Sequence, residues 1–295
     1  MNDFGVLRTD FEIGIRAERS DTIHYSLFTI LYSLFPTTYA TEVCPMSALT
    51  LRIIACVSML LDHIGYLLAG RYPFLMPLRW IGRIAFPLYV FLIVNGFRHT
   101  HSRPKYALRL AVFAVLSQIP FTLFCDHRVF YPHLNVFFTL LCALLAVWGT
   151  DVLRKGRFTK YVCPLPGLLL FAAMYYSPVR IDYGTKGVLL AMVFYLFDGK
   201  PVLTAVGLLG SVYYSRLLSL AFALLNLLRG RGFAFAPFTA WELAQSCSLL
   251  ALVPIFLYNG TPGKLPKNPT AAKCTHLAFY AFYPLHLLLL YFLLK

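Results

Sequence analysis

Residues 49–69, LTLRIIACVSMLLDHIGYLLA, form an apolar run that nevertheless holds Arg52, Asp62 and His63. A helix rises about 1.5 Å per residue and a bilayer core is about 30 Å thick, so one crossing takes roughly 20 apolar residues. The run has that length. A charged side chain at mid-membrane costs about 2.5–3.5 kcal/mol, whereas one Leu or Ile returns only about 0.5 kcal/mol. A segment whose only task was anchoring would gain by losing Asp62. Arg52 and His63 lie within about 20° of each other on one helix face, about 16 Å apart along the axis. Cys56 and Met59 share that face. Two readings stand at this point. One is a functional cluster of ionisable groups inside the membrane. In the other, Arg52 only snorkels to lipid phosphates, and Asp62 and His63 fix helix packing.

Hydrophobic residues are 59% of the 295 and charged residues 13%, about half the charged share of a soluble domain. The expected fold is all-α, a polytopic helical membrane bundle of about 8–10 transmembrane helices. Residues 46–295 read as a single membrane domain. Residues 1–45 read as an N-terminal extension, polar and mixed in charge to residue 22 and only marginally apolar over 23–40. That extension is expected to be an interfacial helix or the product of a mis-assigned start, with Met46 the alternative first residue.

The net charge is +14, but the basic residues fall in short loops. This pattern points to membrane topology and anionic headgroups as partners, and away from nucleic acid. The densest basic loops are 98–105 and 154–160. The positive-inside rule puts both in the cytoplasm, and with them the N-terminus and the Arg52 end of the first helix. His63 then lies past the midplane toward the outer face. The seven cysteines are scattered, with no CxxC, so neither a disulfide framework nor a zinc site is expected. HExxH, P-loop and GxSxG patterns are absent, and no metal cofactor is expected.

Further spans are read at 79–97, 106–125, 134–150, 162–176, 187–197, 239–258 and 276–294, with 201–228 either one tilted helix or two half-helices. Pro87 is expected to kink the second span and Pro284 the last. Arg83 lies a turn inside the second span and needs a partner, for which Asp62 is the obvious choice. Among the groups able to move protons are His63, His286, Asp62 and Glu242, with an imidazole the best base at neutral pH. Tyr283 shares a face with His286, and Asp182 lies in a glycine-flanked outer turn.

The runs LRIIACVSMLLDHIGYLL, RWIGRIAFPLYVFLIVNGFRHTHSRPKYALRLAVFAVLSQIPF, DYGTKGVLL and FYPLHLLLL resemble the TraX family of membrane proteins, in consistent order over residues 46–295. That resemblance implies a role with conjugative pili and acetylation of the pilin N-terminus. The first helix is also similar to the acyltransferase-3 superfamily, whose signature is Arg or Lys, ten residues, then His; Arg52 and His63 match it. FPLYVFLIVNGF and YPLH are similar to two further motifs of that superfamily. The implied activity is transfer of acetyl from acetyl-coenzyme A to an amine or hydroxyl, on a pilin or a cell-surface glycan, at the outer face of a bacterial inner membrane. His63, Asp62 and Arg83 are then the expected catalytic residues. Arg52, Arg79, Arg98 and Lys105 are expected to bind the donor. The competing reading is a non-enzymatic transporter or pilus-assembly factor whose charged residues form a substrate path.

Overall fold

The computed structural model describes residues 45–294 apart from Phe130, Arg157, Phe158, Leu265 and Lys267; the expectations for the N-terminal extension lie outside the described residues. The membrane domain is helical almost throughout. Helix α1 spans Ala48–Leu68 and starts where the Ser47 side chain accepts a hydrogen bond from the Thr50 N–H. This cap satisfies one of the free donors that every helix N-terminus leaves. A short 3₁₀ turn leads into α2 (Met76–Gly82) and α3 (Ala85–His99), then α4 (Arg103–Leu116) and α5 (Gln118–Asp126). Strand β1 (His133–Leu134) precedes α6 (Val136–Arg154) and α7 (Leu165–Tyr176). Strand β2 (Arg180–Ile181) precedes α8 (Gly184–Leu196), α9 (Pro201–Leu228), α10 (Ala240–Gln245), α11 (Leu252–Phe256) and α12 (Pro269–Leu294).

The expected kink at Pro87 appears as an interruption one turn earlier, at Arg83–Ile84, between α2 and α3. Proline has no N–H to give the carbonyl four residues back, and its ring crowds that carbonyl, which here belongs to Arg83. The third span breaks likewise at Ser117, three residues before Pro120, and bends by 43°. Residues 201–228 are one helix.

Five helices among the described residues are long and apolar enough to cross a membrane, six if α4 and α5 count as one span, and three more apolar helices are shorter. Contacts at the two ends of the bundle show what the shorter ones do. At one end β1 pairs in parallel with β2, His133 opposite Arg180. At the other, Arg103 pairs with Asp151, and Arg98 with Asp198. Helices α7 and α8 therefore each run from one end to the other. The segment 240–256 does so too: Trp241 stacks on Arg79 and Arg83, while Tyr258 bonds Asn95. Among the described residues the chain makes nine such passes.

Arg52 touches His276 and His63 touches His286. Two contacts at nearly constant sequence offset mean that α12 lies parallel to α1, so the last helix ends on the side where the first one ends. The outer faces of α4, α9 and α12 carry exposed Leu, Val and Phe, among them Leu108, Phe222 and Phe292. A face of that kind is at home in lipid, because helices satisfy their own backbone hydrogen bonds there. Inside, Leu51, Leu88, Leu110, Leu144 and Leu287 are fully buried.

Candidate active site

Asp62 and His63 are adjacent and therefore about 100° apart around α1. They serve different neighbours. Asp62 faces α2 and its Oδ2 accepts from Arg79 Nη1 at 2.8 Å, while its Oδ1 accepts from Arg83 Nη2. Arg79 also donates to the Asp62 carbonyl at 3.2 Å, and Arg83 Nε donates to the Arg79 carbonyl. The ring of Trp241 lies 5.0 Å and 4.9 Å from the two guanidinium carbons. Asp62 is 7% exposed and Arg83 6%. Burying charge is tolerable only when it is paired and hydrogen-bonded, and this cluster meets that condition. One carboxylate against two guanidiniums leaves a positive surplus, suited to a developing oxyanion. Gly82 makes the approach possible, because a Cβ there would stand 2.2 Å from the Asp62 Cβ.

His63 faces α12. Its Nδ1 lies 2.7 Å from His286 Nε2, and His286 Nδ1 lies 2.7 Å from the Phe282 carbonyl oxygen. A carbonyl only accepts, so His286 carries its proton on Nδ1 and presents a bare Nε2. His63 must then donate from Nδ1. The lone pair of His63 falls on Nε2, which takes no hydrogen bond among the described residues. This two-step relay assigns the tautomer of a base by the partner of its other nitrogen, as a carboxylate does in hydrolytic triads. Sequence alone placed His63 and His286 in separate helices; the parallel packing of α1 and α12 brings them together.

A cavity of about 750 Å³ joins these groups to the basic end of the bundle. Its far end is lined by His63, Asp62, Arg79, Arg83, Asp182, Tyr183 and Trp241, its basic end by Arg52, His99, His101, Arg109 and His276, and Tyr283 lines its wall. Arg52 Nη1 lies 3.2 Å from His276 Nδ1, and its guanidinium carbon 5.9 Å from the Phe279 ring centre.

The turn after β2 closes the far end. Tyr183 has φ +59° and stacks on Phe86 with ring centres 3.7 Å apart. Left-handed backbone is costly for a non-glycine residue and concentrates at functional sites. Thr139 donates to the Asp182 carbonyl, and Asp182 N–H donates to the Leu134 carbonyl at 2.9 Å. Burial pushes the Asp182 carboxyl up to about 6, against the opposing pull of His133 and Arg83.

The remaining expected residues lie elsewhere. Arg79, grouped by sequence with the donor-binding basics, is bound to Asp62 at the opposite end of the cavity. Arg98 faces a separate cavity, and the exposed Lys105 lines neither. Glu242 caps α10 and pairs with Arg216, outside the cavity lining. Sequence reasoning missed Tyr183, Arg109 and the stacking role of Trp241. The Tyr183–Gly184 pair after a polar turn was the one available signal. Among the described residues no group of three or more His, Cys, Asp or Glu is placed to hold a metal.

These features define a multi-pass membrane protein with a buried histidine relay and an Asp–Arg cluster on an internal cavity. The family model described as TraX protein matches residues 47–294. The chain belongs to the TraX family. It is also 31% identical over 258 residues to the probable fimbrial assembly protein FimC, serogroup H1, of Dichelobacter nodosus, covering 83% of this chain and 94% of that protein. No solved structure matches it.

Proposed function

We propose that this protein is a membrane acyltransferase of pilus biogenesis, moving acetyl from acetyl-coenzyme A to an amine or hydroxyl acceptor such as a pilin N-terminus. The observation that carries this reading is the continuous cavity from Arg52 to the free Nε2 of His63. The donor is made in the cytoplasm and bears phosphates, which Arg52 and Arg109 at the basic mouth suit. The acceptor nitrogen or oxygen attacks the thioester carbonyl while His63 Nε2 takes its proton. His286 accepts from Nδ1 and steadies the imidazolium so formed. The surplus charge of Arg79 and Arg83 suits the oxyanion of the tetrahedral intermediate. That intermediate collapses by breaking the C–S bond, and the proton passes from His63 to the departing thiolate. The basic loops favour a cytoplasmic N-terminus in a bacterial inner membrane.

The name of the Dichelobacter relative, a probable fimbrial assembly protein, favours a second reading, a pilus-assembly role without catalysis. Labelled acetyl-coenzyme A, supplied to the full-length protein in lipid with a pilin-type peptide, separates the two. The wild type is expected to label the peptide, and His63→Gln to lose about 10²–10⁴-fold at unchanged abundance. Full activity in His63→Gln, or no labelling by the wild type, overturns the acyltransferase reading.

A further inference from the structure

On the other face of α3, at the basic end, lies a second cavity of about 420 Å³ that shares no lining residue with the first. Arg98, Arg103, Arg154 and Lys200 line it together with Asp151 and Asp198. Four cations against two carboxylates leave a surplus of two positive charges. Two of the cations are fixed in place. Arg98 donates to the Phe194 and Tyr195 carbonyls at 3.1 Å and 3.2 Å and pairs with Asp198 at 2.9 Å. Arg103 pairs with Asp151 at 2.8 Å over the Phe97 ring, and Tyr195 donates to the other Asp151 oxygen.

The other two carry no carboxylate. Arg154 and Lys200 are exposed and form no ion pair with a carboxylate among the described residues, Arg154 reaching only as far as the Tyr195 hydroxyl. Lys200 also stands at the N-terminus of the 28-residue α9, where unpaired N–H groups add positive potential. Directly beside these polar groups the chain turns apolar and exposed, at Val152 on α6 and at Val202 and Leu203 on α9. An anion bound here would have charged groups above it and a hydrocarbon-compatible wall next to it.

We propose that this cavity binds the phosphate headgroup of an anionic phospholipid from the leaflet at the basic end of the bundle. A phosphodiester supplies the charge that the surplus needs, arginine forks match its oxygens, and basic clefts between membrane helices on the cytoplasmic side take such headgroups. The lipid chains lie along Val202 and Leu203. A soluble nucleotide phosphate shares the headgroup chemistry but has no use for that apolar wall. The site is independent of acetyl transfer.

The test follows thermal unfolding of the full-length protein in detergent supplemented with phosphatidylglycerol, phosphatidylcholine or inorganic phosphate. Phosphatidylglycerol is expected to raise the midpoint by about 2–4 °C over phosphatidylcholine, with no response to phosphate. The double variant Arg154→Gln/Lys200→Gln spares the two fixed arginines. It is expected to keep the phosphatidylcholine midpoint and lose the phosphatidylglycerol shift, whereas Arg154→Lys keeps that shift. An equal shift in the double variant, or none in the wild type, overturns the proposal. A shift with inorganic phosphate that the double variant loses overturns the lipid as its source.

Discussion

The two ends of the main cavity are built on opposite principles. At the far end the polar groups are bonded to one another, with Asp62, Arg83 and His286 buried: Asp62 to Arg79 and Arg83, His63 to His286, His286 to Phe282. At the basic end Arg52 makes one 3.2 Å contact with a histidine, and His99, the last residue of α3, and His101 just after it are exposed. A reacting group must be held within a fraction of an ångström, which rigid and fully paired neighbours achieve. A mouth that captures a phosphorylated donor needs charge and access more than fixed geometry.

This contrast can be broken most forcefully at Asp62. Asp62→Ala strands two guanidiniums in a buried site and is expected to cost about 3–5 kcal/mol of stability. Arg79→Ala should cost less, because Arg83 keeps the carboxylate paired. Thermal unfolding in detergent measures both, and equal losses would mean that the cluster is not one network.

His286 comes next. His286→Ala leaves the His63 Nδ1 proton without an acceptor and is expected to lower turnover about 10²-fold, with KM for the donor unchanged. In His286→Gln the side-chain oxygen can still accept that proton, so this variant should recover part of the loss. If alanine and glutamine are equally inactive, the relay is not what orients the base.

Asp182 gives a smaller, pH-dependent effect. Its carboxyl is raised to about 6, so the folded state holds its proton where the unfolded chain has already lost it. The stability associated with that proton is present below the ordinary carboxylate range and is lost as pH rises through 6. The change is about 2 kcal/mol or less, since Asp182 is only partly buried and lines the cavity. Asp182→Asn should flatten this limb of the pH–stability curve, and an unaltered curve would remove Asp182 from it.

The mildest change is expected at the mouth. Arg52→Gln should raise KM for acetyl-coenzyme A about tenfold while moving stability by less than about 1 kcal/mol, as for other half-exposed polar contacts. A large loss of stability would make Arg52 a structural residue, and the two ends would no longer differ.

The bundle, most of its helices and the Asp62–Arg83 partnership were readable from hydropathy and from the cost of unpaired charge in an apolar run. The Arg52–His63 alignment followed from helical periodicity. Arg79, expected among the donor-binding basics, pairs with Asp62 instead, because sequence spacing does not show which way a helix after a Pro-broken turn will face. Arg98 was assigned to the donor route because one basic loop can border two cavities, and a loop's composition does not reveal that α3 divides them. Glu242 looked like a membrane carboxylate, yet the Thr239–Glu242 capping box and Arg216 occupy it.

The sequence by itself determined that this chain is a helical membrane protein with ionisable groups among its spans, because hydrophobicity and charge act locally along the chain. Only the tertiary structure decided that α1 and α12 run parallel, that two histidines more than two hundred residues apart are hydrogen-bonded, and that Arg79 joins Arg83 on Asp62. Those outcomes depend on which helix faces meet, and packing settles that among surfaces of nearly equal hydrophobicity.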